Sequence, residues 1–154
     1  MSATIATALQ CALLAMMPVV ELRAALPWAI ARGLDPWFSY LLCVLFNMVP
    51  VPFILLFFNK ILAWMETTRT FSGIATWLKE RAHKKSDTYY KYEMLGLFIL
   101  VAIPLPGTGA WTGALLATLL NVPKKKSIPA IALGVCLAAV LMGTLSLVFK
   151  GLFF

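Results

Sequence analysis

Four apolar stretches alternate with polar breaks along the chain: about Thr4 to Ile30, Trp37 to Phe58, Leu95 to Leu120 and Ile128 to Phe149. The second and fourth carry no charged residue and have about the 20 residues with which a helix crosses a hydrocarbon core, so both predict plain spanning helices. The first is interrupted by Pro18, Glu21, Arg23 and Pro27, and the third by Pro104, Pro106, Gly107 and Gly109. Proline removes a backbone donor, and each remaining piece, about 9 to 14 residues long, suits half a bilayer rather than all of it. Each interrupted stretch therefore predicts a re-entrant helical hairpin that dips into the membrane and returns on its own side.

Between the two halves lies a polar stretch from Asn59 to Glu93. Phe71, Ile74, Ala75 and Leu78 recur there at helical spacing, with Thr76, Lys79, Glu80 and Arg81 elsewhere around the helix. This predicts an amphipathic helix lying on the membrane surface, with Trp64 and Trp77 suited to the interface and His83 at the surface.

The halves echo one another. Pro18 is followed by Leu34-Asp35-Pro36 and a span, and Pro104 by Asn121-Val122-Pro123, three lysines and a span. Composition agrees with a membrane protein: 62% of the 154 residues are hydrophobic and 12% charged, against about 45–50% and 25% in soluble domains. Charge then sets the orientation. With two re-entrant hairpins, ten Lys and Arg residues (the middle stretch and Lys124 to Lys126) share one face, against Arg32 and Lys150 on the other. Four full spans would give only eight against four. The positive-inside rule favours the larger bias and places the middle stretch and Lys124–Lys126 in the cytoplasm and both termini outside, in a multi-pass plasma (inner) membrane protein.

The expected fold is thus an all-α membrane domain over residues 1–154. Repeat 1 covers 1–58, a cytoplasmic amphipathic linker 59–93, and repeat 2 94–154, the second repeat inverted relative to the first. That is the architecture in which secondary transporters bind substrate between broken helices at the midplane.

Ionisable groups at membrane depth are costly, and Glu21 and Arg23 in Pro18-Val19-Val20-Glu21-Leu22-Arg23-Ala24-Ala25-Leu26-Pro27 are the clearest case. Two residues apart, they point in different directions on a regular helix and are expected to serve different partners. Arg23, permanently charged and forked, is the candidate anion anchor, and Glu21, a carboxylate able to take up a proton, the candidate for proton coupling. A structural ion pair holding the hairpins together is the competing reading. In Ile103-Pro104-Leu105-Pro106-Gly107-Thr108-Gly109-Ala110-Trp111-Thr112-Gly113, free amides at Gly107, Thr108, Gly109 and Ala110 would form a partly positive anion site at a helix start. Thr108 and Thr112 add hydroxyls, and Gly109 and Gly113 also fit a helix-packing seam. Asn47, with Pro50 and Pro52 beside it, is expected to face the hairpins, either binding substrate or bracing the Glu21 loop.

Cys11, Cys43 and Cys136 show no disulfide or metal spacing and read as buried packing residues. No metal cluster, phosphate loop or catalytic triad is legible, so the expected protein is not an enzyme and needs no cofactor.

The segments Glu21 to Pro27, Asn47 to Phe53, Lys91-Tyr92 and Ala102 to Gly113 together resemble the small multidrug export protein family, over about Met17 to Gly143. That family is in turn similar to DedA-like membrane proteins, which carry two re-entrant hairpins and are implicated in proton-linked handling of polyprenyl-phosphate lipids. The resemblance implies an essential acidic residue and arginine at the hairpins, matched in type by Glu21 and Arg23. The second hairpin departs from it in having no charge.

The residues and the resemblance together lead to the expectation of a proton-linked translocase for an anionic, phosphate-bearing substrate, a polyprenyl-phosphate lipid being one such molecule. Membrane lipids and a second copy in a homodimer are the expected partners, with no nucleic acid. A drug/proton antiporter and a non-transporting assembly protein are the alternatives.

Overall fold

The computed structural model describes residues 2–67, 73, 87–105 and 108–153. They form helices α1 (Ser2–Met16), α2 (Glu21–Ala31), α3 (Pro36–Met48), α4 (Pro50–Thr67), α5 (Asp87–Ala102), α6 (Ala110–Leu119) and α7 (Lys124–Phe153), with no strand among the described residues. The helix expected over Phe71 to Ala82, apart from Gly73, and His83, Pro106 and Gly107 lie outside the described residues.

Both interrupted stretches break where expected, α1 ending at Met16 before α2 begins at Glu21, and α5 ending at Ala102 before α6 begins at Ala110. Pro27, by contrast, is accommodated inside α2. The second stretch keeps a helical course, Val49 between α3 and α4 having φ −56 and ψ −47, but its hydrogen-bond ladder is interrupted there because Pro50 and Pro52 bring no N–H. Even so, 36–58 and 124–149 are each long and apolar enough to cross a membrane.

α1, α2 and α3 pack on one another, and so do α5, α6 and α7. The two groups are joined by α2 and α3 against α7 and by α4 against α6. The shared core contains Leu22, Leu26, Ile30, Val51, Leu55, Leu97, Val101, Ile131 and Val135, interleaved with alanines. In a lipid phase apolar side chains gain little by turning inward, so close helix approach through small residues carries the packing. A Cβ on Gly113 would reach Val101 Cγ2, and one on Gly134 would lie 2.8 Å from Val101 Cβ and 2.9 Å from the Phe98 carbonyl. At Gly143 it would fall on the Tyr40 hydroxyl. Gly113 is thus a packing residue between α6, α5 and α7. Outward, Leu41, Leu45, Phe53, Leu56, Leu133, Val140 and Leu145 are exposed, the apolar exterior that a bilayer covers.

The same corner ends α2 and α6. Gly33 (φ 83) and Asn121 (φ 53) take the left-handed conformation that Gly and Asn tolerate best. The next amide reaches back five residues, Leu34 N to Ala29 O at 3.1 Å and Val122 N to Ala117 O at 2.9 Å, closing each helix in a Schellman-type turn. Leu34 and Val122 are both buried against the core. A proline stands at the start of each next helix, Pro36 as the first residue of α3 and Pro123 just before α7, and buried Ser39 and Ser127 follow at equal distances from the corners. At the first corner Asp35 also caps α3, its Oδ1 accepting from Phe38 N at 2.9 Å.

Candidate functional site

The two breaks face each other, and each creates a different backbone problem. α5 ends in carbonyls that Pro104 cannot serve, while the amide of Leu105 turns to Ile103 O instead of extending the helix to Val101 O. α6 begins with amides that have no preceding turn to bond. In a membrane such groups need internal partners. Glu21 and Arg23 provide them.

Glu21 lies at the first turn of α2 with φ 48, a conformation costly for a residue with a Cβ. This turn overrides the regular helical geometry on which two residues so close in sequence diverge. Arg23 Nη1 donates to Glu21 Oε2 at 2.7 Å, and the side chains are 13% and 4% exposed. The expectation of separate partners is corrected accordingly: the two groups pair with each other and also reach opposite ends of the second break. Arg23 Nη2 lies 3.1 Å from Val101 O, 2.9 Å from Ile103 O and 3.1 Å from Thr108 Oγ1. The guanidinium therefore caps the carbonyl end of α5. Glu21 Oε1 accepts from Trp111 N at 3.3 Å and faces the Ala110 amide, so the carboxylate caps the amino end of α6. Each charge meets the helix end whose dipole favours it.

Gly109 makes this approach geometrically open, since a Cβ there would fall on Glu21 Oε2. Thr108 fixes the loop between: its Oγ1 lies 2.8 Å from Ile103 O and 2.9 Å from Leu105 O, and its amide donates to Leu105 O at 3.3 Å. The Thr108 amide is thus engaged within the loop rather than free for an anion, because the chain turns back on itself after Pro104. Trp111 was not singled out by charge or motif, yet its amide holds Glu21 and its indole Nε1 donates to Met16 O at 3.0 Å. One residue of the second hairpin thereby ties the end of α1 and the tip of α2.

Of the remaining candidates, Ala110 is fully buried at the start of α6, and Thr112 is half-buried on its first turn. Asn47 is fully buried on the α3 face that also carries Ser39 and Cys43. Neither of its amide atoms has a hydrogen-bond partner among the described residues, so no hydrogen bond braces the Glu21 loop from there. Arg23 Nε is likewise buried and unpartnered among the described residues. Cys11 and Cys43 are buried as expected, but Cys136 is exposed on the apolar exterior of α7. No group of three or more His, Cys, Asp or Glu able to hold a metal ion is found among the described residues.

A protein-family profile described as Putative small multi-drug export protein matches residues 21–141. The chain belongs to this family. The match begins at Glu21, directly after the first break, and takes in the second, so the ion pair and all its partners on α5 and α6 lie inside the family region. Comparison with curated proteins and with solved structures finds no match. Family membership and the two long apolar helices make the chain a membrane protein, and the family description places it with transporter-like export proteins.

Proposed function

We propose that this protein is a proton-linked membrane transporter of an anionic, phosphate-bearing substrate, built from two inverted repeats whose hairpin tips meet at the Glu21–Arg23 pair. The observation that carries the reading is the way one buried ion pair closes both ends of the opposite broken helix. A contact of this kind is made and broken as a unit, which suits a gate between two half-structures. The matched corners at Gly33 and Asn121, and the parallel packing of α1–α2–α3 and α5–α6–α7, support a unit used twice. On this reading Glu21 occupies the amide end of α6 while the gate is shut. Protonation removes the charge that holds it there, and frees Arg23 and the Ala110 and Trp111 amides for the anion. A polyprenyl phosphate is the proposed substrate class, and a cytoplasmic middle stretch and a homodimer belong to the same proposal.

A second reading, a non-transporting assembly protein, is favoured by one observation: both terminal nitrogens of Arg23 are already occupied within the chain. Flux separates the two. Purified protein in proteoliposomes is assayed with a short-chain polyprenyl phosphate under an imposed pH gradient, beside Arg23→Ala and Glu21→Gln shown to be folded. Protein-dependent movement lost in both variants is the expected result. Movement retained in Arg23→Ala overturns the anion assignment. Movement of lipophilic cations with none of the phosphate lipid turns the reading to a drug/proton antiporter, and no flux of either with altered oligomer stability turns it to assembly.

A further inference from the structure

Outside the hairpin site, the structure brings together two cysteines that lie far apart in sequence. Cys11 on α1 and Cys43 on α3 are both fully buried, with their sulfurs 3.3 Å apart. The Cys11 sulfur also lies 3.7 Å from the Ala25 carbonyl on α2, so the pair sits where all three helices of the first half converge. A disulfide has its sulfurs about 2.05 Å apart, so just over an ångström of approach separates the dithiol from the bonded form. The third cysteine, Cys136, is exposed on the exterior of α7.

We infer that Cys11 and Cys43 are an intramembrane redox site that closes to a disulfide and clamps the first arm of the first hairpin to the adjacent span. Burial keeps the thiols from water-borne reagents and from the active site of a protein oxidoreductase, so the oxidant is a small molecule that partitions into the apolar phase. A lipid hydroperoxide has that property. One thiol sulfur attacks the peroxide bond, its proton passes to the departing alkoxide, which leaves as an alcohol, and a sulfenic acid remains on the sulfur. The second thiol sulfur displaces the hydroxyl, which leaves with the thiol proton as water. Two thiols and one hydroperoxide thus become one disulfide, one alcohol and one water, with two electrons passed to the peroxide oxygens. The closed bond fixes α1 on α3, and α1 runs directly into the loop at residues 17–20 that presents Glu21. The inference stands on the sulfur geometry and is independent of what the protein carries.

The test uses the full chain in proteoliposomes with Cys136→Ser to remove the exposed thiol. After treatment with cumene hydroperoxide, intact mass is expected to fall by two hydrogens, and peptide mapping without reductant to join Cys11 to Cys43. Cys11→Ser and Cys43→Ser should each abolish the bond. Amide exchange across the C-terminal half of α1 and the 17–20 loop should slow by about tenfold or more on oxidation and recover with a phosphine reductant. Thiols that stay free, or oxidation that stops at oxygenated sulfur without the cross-link, would overturn the redox site. A cross-link that leaves amide exchange unchanged would overturn the clamp.

Discussion

Adding one methyl group at Gly109 is the sharpest probe of the hairpin contact, because it leaves both charged side chains chemically intact. The Cβ of Gly109→Ala would fall on Glu21 Oε2 and close upon Arg23 Nη1. Relief requires either expelling the carboxylate from the start of α6 or moving α6 away from α2. Expulsion separates a buried ion pair and strips the Trp111 amide of its acceptor. Breaking a buried pair costs roughly 3–5 kcal/mol, and alanine is also a poorer N-cap residue than glycine. A loss of about 3 kcal/mol is expected, which for a chain of this size lowers the unfolding midpoint by roughly 6–12 °C. The assay is thermal unfolding of the detergent-solubilised protein followed by tryptophan fluorescence, for Gly109→Ala, Glu21→Ala and the double variant. With Glu21 truncated the new methyl meets no carboxylate, so the double variant should be less destabilised than the sum of the single changes, by about 2 kcal/mol. A Gly109→Ala protein as stable as the parent, or strict additivity in the double variant, would refute the geometry on which the site is built.

Glu21 adopts a left-handed conformation at the same point, so Glu21→Gly should unfold later than Glu21→Ala by about 1 kcal/mol although both lose the pair; equal midpoints would remove the backbone from the account. At the matched corners, Gly33→Ala and Asn121→Ala should each cost about 1 kcal/mol while Asn121→Gly is neutral or stabilising, read from the same melts. If Asn121→Gly is the damaging one, the corners are not equivalent. Asn47→Leu removes two buried polar atoms that have no hydrogen-bond partner among the described residues and should raise stability by about 1–2 kcal/mol; a stable variant that has lost flux assigns Asn47 to transport, and a destabilised one shows that its amide is satisfied in the membrane. Arg23→Lys should fail to support flux as fully as Arg23→Ala does, because a single ammonium cannot span Glu21 and the Val101 and Ile103 carbonyls together.

Much of this arrangement was legible in the order of residues. Prolines at 18 and 104 mark the two breaks, because proline withdraws an amide wherever it stands, and charge between apolar runs marks Glu21 and Arg23 because membrane depth makes it costly. What the order of residues concealed came from backbone conformation and from distance along the chain. The helical rule that sends residues two apart in different directions assumes helical dihedrals, and Glu21 does not have them. Cys11 and Cys43 meet only after three helices have packed, so no local spacing announces them. The interrupted ladder at Val49 is a different case, since Pro50 and Pro52 stood in plain view inside a run that nevertheless keeps its helical course.

One accounting step, asked of the sequence, would have recovered more of the site. Pro104 leaves the last carbonyls of α5 without amides, and the glycine-rich turn leaves the first amides of α6 without carbonyls. A membrane supplies no water to either group, so the chain must hold one cation for the first set and one anion for the second, close enough to serve both ends of a single break. Within the apolar stretches the only such couple is Glu21 with Arg23. Seen this way, the absence of charge from the second hairpin is no longer a departure to be explained. Its helix ends are the counter-charges, and Gly109 keeps clear the space through which Glu21 reaches them. The cost of burying the pair and the cost of breaking the helix offset each other only while the two hairpins touch. That interdependence is what would make their separation a switch between two states rather than a gradual loosening.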